Sequence, residues 1–300
     1  MKPYEERKPD TQYQNLLGMI LDGIDTGDSE FTKNPYQDQG TFTHKGLPPL
    51  VYKFDNGFPV ITERKISFWR SPIVELIAFI NGVRNVQELE KLGCDWWLKW
   101  GTPKKCAAFG LEPGDLGPGS YGAAFHDFPT PNGEPFNQFD HLIKQMKEKP
   151  GLRTHVISSW IPYYSLGHSA LQRKVVVAPC HGNFLQFTIT ERGLTLNHVQ
   201  RSADMPIGVP SNIIQYAALT FMVAQVLGIE PYQYIHYLPD AQIYENQVDS
   251  VREILAREAR RFPTFRITNT EQMDLFKFSP GDFELTDYHP QSAISIPVTE

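Results

Sequence analysis

The middle of the chain constrains the fold most. Four strand-like runs, THVISSW, KVVVAP, NFLQFTIT and LTLNHVQ, follow one another between residues 154 and 200 with no helix between them. The last two join through Glu191-Arg192-Gly193. Only afterwards comes a long apolar helix, 212–227, stopped by Gly228. Parallel α/β folds alternate strand and helix; here helices lie on both sides of a dense run of strands, so the expected class is α+β, a mixed α/β fold. Residues 1–300 show no repeat and no composition break, which predicts one domain.

The flanks read as helices with clear punctuation. Residues 12–24 carry Leu16, Leu17, Ile20, Leu21 and Ile24 at helical spacing. Residues 70–82 have Ser71 suited to the N-cap, Pro72 to the first turn and Gly82 to the stop. Shorter helices are expected at 85–92, 137–149 and 246–260. LVYKF and FPVIT, split by Asp55-Asn56-Gly57, predict a hairpin. Residues 27–49 read as loop with short strands, 101–120 as a Gly- and Pro-rich loop, and FRIT and FELTDY as late strands.

The net charge of −6 offers no general attraction to nucleic acid or an anionic membrane, so an anionic ligand needs a local cluster of arginines. Three cysteines, Cys94, Cys106 and Cys180, are too few for a disulfide framework and predict a reduced, cytoplasmic chain. MKPYEERKPD has no apolar core of a signal peptide, and no apolar stretch reaches membrane-span length. Metal-ligand spacings, Walker-type loops and Gly-x-Gly-x-x-Gly are absent, so no metal site is expected.

Four features carry possible chemistry, each with a plainer alternative. Cys180 sits between Pro179 and His181-Gly182, at a break in strand-like sequence. It is either a small buried residue or a nucleophile needing a nearby cation. His181 is a poor base for it, since neighbouring extended residues point opposite ways. Gln200-Arg201-Ser202-Ala203-Asp204 ends a strand and leads to a helix opening near Ser211-Asn212: a polar surface turn, or an anion site with Arg201 at its centre. Glu75 lies in a helix with no polar face; it reaches solvent at the edge, or it is a buried acid with a raised pKa. Trp96, Trp97 and Trp100 serve packing or wall a flat heteroaromatic ligand.

These pieces in this order resemble the thymidylate synthase family. The resemblance spans nearly the whole chain and rests on APCH around Cys180, QRSAD-x₃-G-x-P-x-N from Gln200 to Asn212, and DAQIYEN from Asp240 to Asn246. GDLGPGSYG at 114–122 and the VEL of the 70–82 helix support it. It implies a homodimer, a large twisted mixed sheet at the interface with helices on its other face, and one-carbon transfer from 5,10-methylenetetrahydrofolate to C5 of a pyrimidine nucleotide. Carried over, Cys180 would add to C6 of the base, and Arg201 would hold phosphate and lower the thiol pKa. Glu75 would organise proton transfers, with Tyr121 near the reacting centre. Asn212 would read the pyrimidine edge, its amide suiting uracil. Gln200, Ser202, Gln242 and Tyr244 would line the nucleotide site, and Arg153 would reach phosphate across the dimer. Asp204, Trp97, Trp100 and Gly208 would hold the folate.

The chain departs from the family pattern at the phosphate and sugar. Arg153-Thr154 stands where two arginines are usual, Tyr36 replaces an N-terminal arginine, Gln242 a histidine, and Ser211 a phenylalanine. One extra residue between Cys180 and Gln186 predicts a β-bulge beside the nucleophile. Lys33, Arg64 and His155 are candidates to replace the lost charge. The expected activity is conversion of dUMP to dTMP. The alternatives are a dUMP, dCMP or CMP 5-hydroxymethylase, in which water captures the methylene intermediate, and a catalytically silent nucleotide- or folate-binding homologue. No nucleic-acid or membrane partner is expected.

Overall fold

A computed structural model describes residues 1–34, 38–168 and 171–299; Tyr36 lies outside the described residues. The α-helices are α1 (Gln12–Thr26), α2 (Arg70–Ile80), α3 (Val86–Lys91), α4 (Pro103–Ala107), α5 (Tyr121–His126), α6 (Gln138–Glu148), α7 (Pro162–Ser165), α8 (Gly208–Leu227) and α9 (Val248–Leu255). The strands are β1 (Glu30–Thr32), β2 (Thr41–His44), β3 (Leu50–Lys53), β4 (Val156–Ile157), β5 (Phe184–Thr190), β6 (Gly193–Val199), β7 (Ala203–Asp204), β8 (Pro231–Tyr237), β9 (Ala241–Tyr244), β10 (Thr264–Ile267) and β11 (Phe283–Thr286). The fold is mixed α/β with mixed sheets, as expected.

The largest sheet runs β3-β8-β6-β5-β4, with β6 and β8 parallel and the other pairs antiparallel. Side chains alternate across it: Leu185, Phe187, Leu196, His198, Tyr234 and His236 point into the core, while Gln186, Thr188, Asn197, Gln233 and Ile235 on the other face stay half-buried. α8 lies over β6 and β8, and α2 and α6 pack on α8. Most of α8 is buried, including Asn212 and Gln215. A second sheet, β1-β2-β9-β7, carries the Arg201–Asp204 turn, since β7 pairs in parallel with β9.

Several expectations are corrected. FPVIT is not a strand: β3 pairs with β8 instead, the Phe58 N–H goes to the Pro263 carbonyl, and the Phe58 ring stacks on Phe265 at 4.0 Å. Pro59 also lacks the N–H that a ladder would need. KVVVAP bends at Val176-Val177 and is unpaired with any strand; its carbonyls at Val176, Ala178 and Pro179 accept from Arg173 and Arg201. THVISSW keeps only the two residues of β4. Within 101–120 the PKKCA segment forms α4, because Thr102 caps it and Pro103 fits its first turn. Ser71 does not cap α2, which already begins at Arg70; α8 opens at Gly208, four residues before Asn212; and α9 ends at Leu255.

The predicted bulge beside Cys180 is absent as well. β5 pairs with β6 one-for-one from Phe184↔Val199 to Thr190↔Gly193. Ahead of β5, Gly182 sits at φ 63°, a left-handed conformation that suits glycine.

Candidate active site

Pro179 to Asn183 runs outside any ladder, so its backbone groups need other partners. Side chains supply them. Arg201 donates through Nε to the Pro179 carbonyl (2.8 Å) and through Nη2 to that of Ala178 (3.0 Å), and Asn183 Nδ2 also donates to Pro179 (3.0 Å). Ser159 Oγ donates to the His181 carbonyl (2.8 Å), the Ser159 N–H to that of Gly182 (2.9 Å), and Ser158 Oγ to that of Asn183 (2.8 Å). The Gly182 N–H donates to His198 Nε2 (2.8 Å), which makes His198 Nδ1 the protonated nitrogen, donating to Tyr234 Oη.

The N–H groups of Cys180 (2.7 Å) and His181 (3.4 Å) both donate to Tyr121 Oη. Those two donors occupy the hydroxyl's lone pairs, so its one proton points at Cys180 Sγ, 3.3 Å away. Tyr121 itself is buried and stacked between Phe79 (5.0 Å) and the His181 ring (4.2 Å). Burial pushes the Cys180 thiol up, while the Tyr121 hydrogen bond and the Arg201 charge pull it down and Glu75 adds to the rise. Arg201 therefore favours thiolate without overcoming desolvation. His181 is no base for Cys180: its Nδ1 meets Tyr216 Oη at 2.8 Å, and burial lowers its pKa to about 3.

Glu75 is buried, not solvent-reaching. Its Oε1 accepts from the indole N–H groups of Trp96 (2.8 Å) and Trp97, and its Oε2 from Gln215 Nε2 (2.7 Å). Burial raises its pKa despite these three donors. Trp97 is thus committed to Glu75 and packs edge-on against Phe79 and Tyr121. Trp100 is half-exposed, with Lys105 Nζ 4.2 Å from its ring centroid.

Asn212 is buried and bonded on both sides, accepting at Oδ1 from Gln200 Nε2 (3.0 Å) and donating from Nδ2 to Gln215 Oε1 (3.3 Å). Gln242 donates to Ser202 Oγ (3.2 Å) and Asp240 (2.7 Å), and Tyr244 is buried beside it on β9. Asp204 accepts from the Ile207 N–H (3.2 Å) and Gln247 Nε2 (3.3 Å), and burial raises its pKa to about 6. Gly208 has room beside it, since an added Cβ would meet only Asn212 Oδ1 at 3.6 Å and Asp204 Cβ at 3.9 Å.

The structure thus brings Cys180, Tyr121 and Arg201 together around the thiol, and Glu75, Asn212 and Gln200 into one buried network. Arg153 is exposed and apart from these, its carbonyl held by Gln186. Of the candidates to replace phosphate-binding charge, Arg64 and His155 are buried and Lys33 is exposed. Sequence reasoning missed Gln215, His198, Tyr216 and Gln247. Gln215 carries the signal that marked Glu75, a polar residue in an apolar helix.

A cysteine given a hydroxyl donor and a guanidinium, near enough to a buried carboxyl to feel its charge, equips an enzyme for covalent attack through sulfur. The chain belongs to the thymidylate synthase family, whose model matches residues 11–300. Membership places it among the one-carbon transferases that act on C5 of pyrimidines, a family that generally draws the carbon from methylenetetrahydrofolate. Among the described residues no helix is long and apolar enough to cross a membrane, and no group of three or more His, Cys, Asp or Glu is placed to hold a metal.

Proposed function

We propose that this chain converts dUMP to dTMP through a covalent adduct between Cys180 and C6 of the base. The observation that carries the reading is Tyr121 Oη 3.3 Å from Cys180 Sγ while accepting two backbone N–H groups, which leaves its proton to stabilise a thiolate where the family places its nucleophile. Sulfur adds to C6, and the electron pair of the C5–C6 bond moves toward the C4 carbonyl, so C5 becomes the nucleophile. Glu75, buried with a raised pKa, handles protons near the C4 oxygen and C5. Asn212 reads the base edge. Arg201, Ser202 and, across a homodimer, Arg153 hold the phosphate; Gln242 and Tyr244 face the sugar.

The residues present suit the folate: Asp204 offers a carboxyl that titrates near neutrality, Gly208 leaves space, and Trp100 offers a half-exposed ring. When bound, it supplies the one-carbon unit and the hydride that completes the methyl group. The burial of Glu75, Asn212 and Trp97 supports a dry site, which favours reduction over capture of the carbon by water.

The test is incubation with deoxyuridylate and 5,10-methylenetetrahydrofolate, following dihydrofolate absorbance and weighing the nucleotide product. A methyl product with dihydrofolate is expected. A hydroxymethyl product with tetrahydrofolate would make the chain a hydroxymethylase. No turnover of any uracil or cytosine nucleotide would sink both and leave a silent binding homologue. Cys180→Ser is expected to abolish turnover while nucleotide binding stays measurable.

A further inference from the structure

Five polar side chains, all buried, form one line through the core: His236, Gln200, Asn212, Gln215 and Glu75. Gln215 lies one turn beyond Asn212 on α8 and faces Glu75 on α2. His236 Nε2 meets Gln200 Oε1 at 2.9 Å, and from there each amide donates toward Glu75.

The orientation of this line is set twice. Gln200 Nε2 also donates to the Ser202 carbonyl (3.1 Å), which can only accept, so the amino end of Gln200 faces Asn212. At the other end the Glu75 carboxyl accepts three donors, so Gln215 presents its amino group to Glu75 and its oxygen to Asn212. Both ends agree on Asn212: oxygen toward Gln200, nitrogen toward Gln215. Turning that amide over would set two amino groups against each other at Gln200 and two oxygens at Gln215, where burial makes each mismatch costly.

Asn212 keeps one hydrogen on Nδ2 and one lone pair on Oδ1 for a ligand. A pyrimidine with an oxygen at C4 and a hydrogen on N3 matches that pair. One with an amino group at C4 and a bare N3 needs the overturned amide. We propose that Gln215 is a specificity-determining positioning residue, holding Asn212 in the orientation that accepts a 4-oxo pyrimidine and disfavours a 4-amino one. This rests on Asn212 facing the base, as proposed above.

The test compares dissociation constants for deoxyuridylate and deoxycytidylate, by calorimetry, in the unaltered protein and in Gln215→Met, Gln215→Glu and Asn212→Asp. Gln215→Met removes the acceptor facing Asn212 and is expected to narrow the uracil preference about tenfold. Gln215→Glu keeps that acceptor, with one proton shared between it and Glu75, and is expected to hold the preference within about twofold. A merely structural role predicts the reverse order, because a second buried carboxyl harms packing more than a thioether does. A folded Gln215→Met with the original preference, or a Gln215→Glu that loses it, overturns the proposal. If Gln215→Met does not fold, Gln215→Glu decides alone. Asn212→Asp separates the two levels. If it reverses the preference while Gln215→Met changes nothing, Gln215 loses its role and Asn212 keeps its own. If it leaves the preference unchanged, both fall.

Discussion

At the scale of single residues, the thiol is balanced between opposing effects. Burial and the Glu75 charge oppose the thiolate, and the Tyr121 proton and Arg201 favour it. Removing the Tyr121 hydroxyl deletes the largest of the favourable contributions and leaves the Cys180 N–H without its 2.7 Å partner. The sign follows directly: in Tyr121→Phe the thiol pKa rises further, so less thiolate exists at any given pH. Alkylation by iodoacetamide at pH 7 is expected to slow about tenfold for each pKa unit gained, and its pH profile to move to higher pH. An unchanged profile would mean that the hydroxyl does not donate to sulfur. None of this was visible around Cys180 itself. Tyr121 lies 59 positions away and Arg201 reaches back from the next turn, so local sequence could only flag an irregularity.

At the scale of elements, periodic segments were legible and irregular ones were not. α1, α2, α6, α8, β5 and β6 follow from apolar spacing, since each buries one face or all of itself. KVVVAP and FPVIT look like strands by composition, yet their backbone hydrogen bonds go to guanidiniums and to scattered loop groups, Tyr164, Leu116, Pro263 and Tyr288 among them, and not to a neighbouring strand. β8 was missed because polar Gln233 and His236 interrupt its apolar pattern; His236 is buried, with Nε2 bonded to Gln200 and Nδ1 without a partner. The turn between Cys180 and β5 depends on Gly182, whose φ is 63°. A Cβ there would also strike the Tyr216 hydroxyl and come within 3.1 Å of the Phe125 ring. Gly182→Ala is expected to cost about 2–4 kcal/mol, from the left-handed backbone and the overpacking together. It is also expected to loosen the His181–Tyr216 contact. Urea unfolding checks the first; a loss below about 1 kcal/mol would show that the turn relaxes freely.

At the scale of the whole molecule, the core holds two sets of titratable groups whose effects on stability oppose each other. His198 on β6 and His236 on β8 point into the core from the large sheet, and His181 lies just before β5; all three are neutral, with pKa values of about 3 for His181 and His236 and well below the usual range for His198. A depressed histidine gives stability that is full above its unfolded pKa, near 6.5, and is lost as pH falls. Each costs about 1.4 kcal/mol per pH unit below that point. Asp204, raised to about 6, acts the other way: its buried carboxylate weakens the fold at neutral pH, and stability returns as pH falls through 6 toward 4. Glu75, Glu63 and Asp10, also raised by burial, share that sign. The three imidazoles lose stability from 6.5 downward, while Asp204 regains it only below 6, so unfolding free energy is expected to be lower at pH 5 than at pH 7.5. Asp204→Asn removes an opposing contribution, so its loss over the same interval is expected to be steeper by about 1 kcal/mol. Urea titrations of both proteins at the two pH values decide it. A protein whose stability is flat or rises on acidification would show that the three histidines do not outweigh the buried carboxyls.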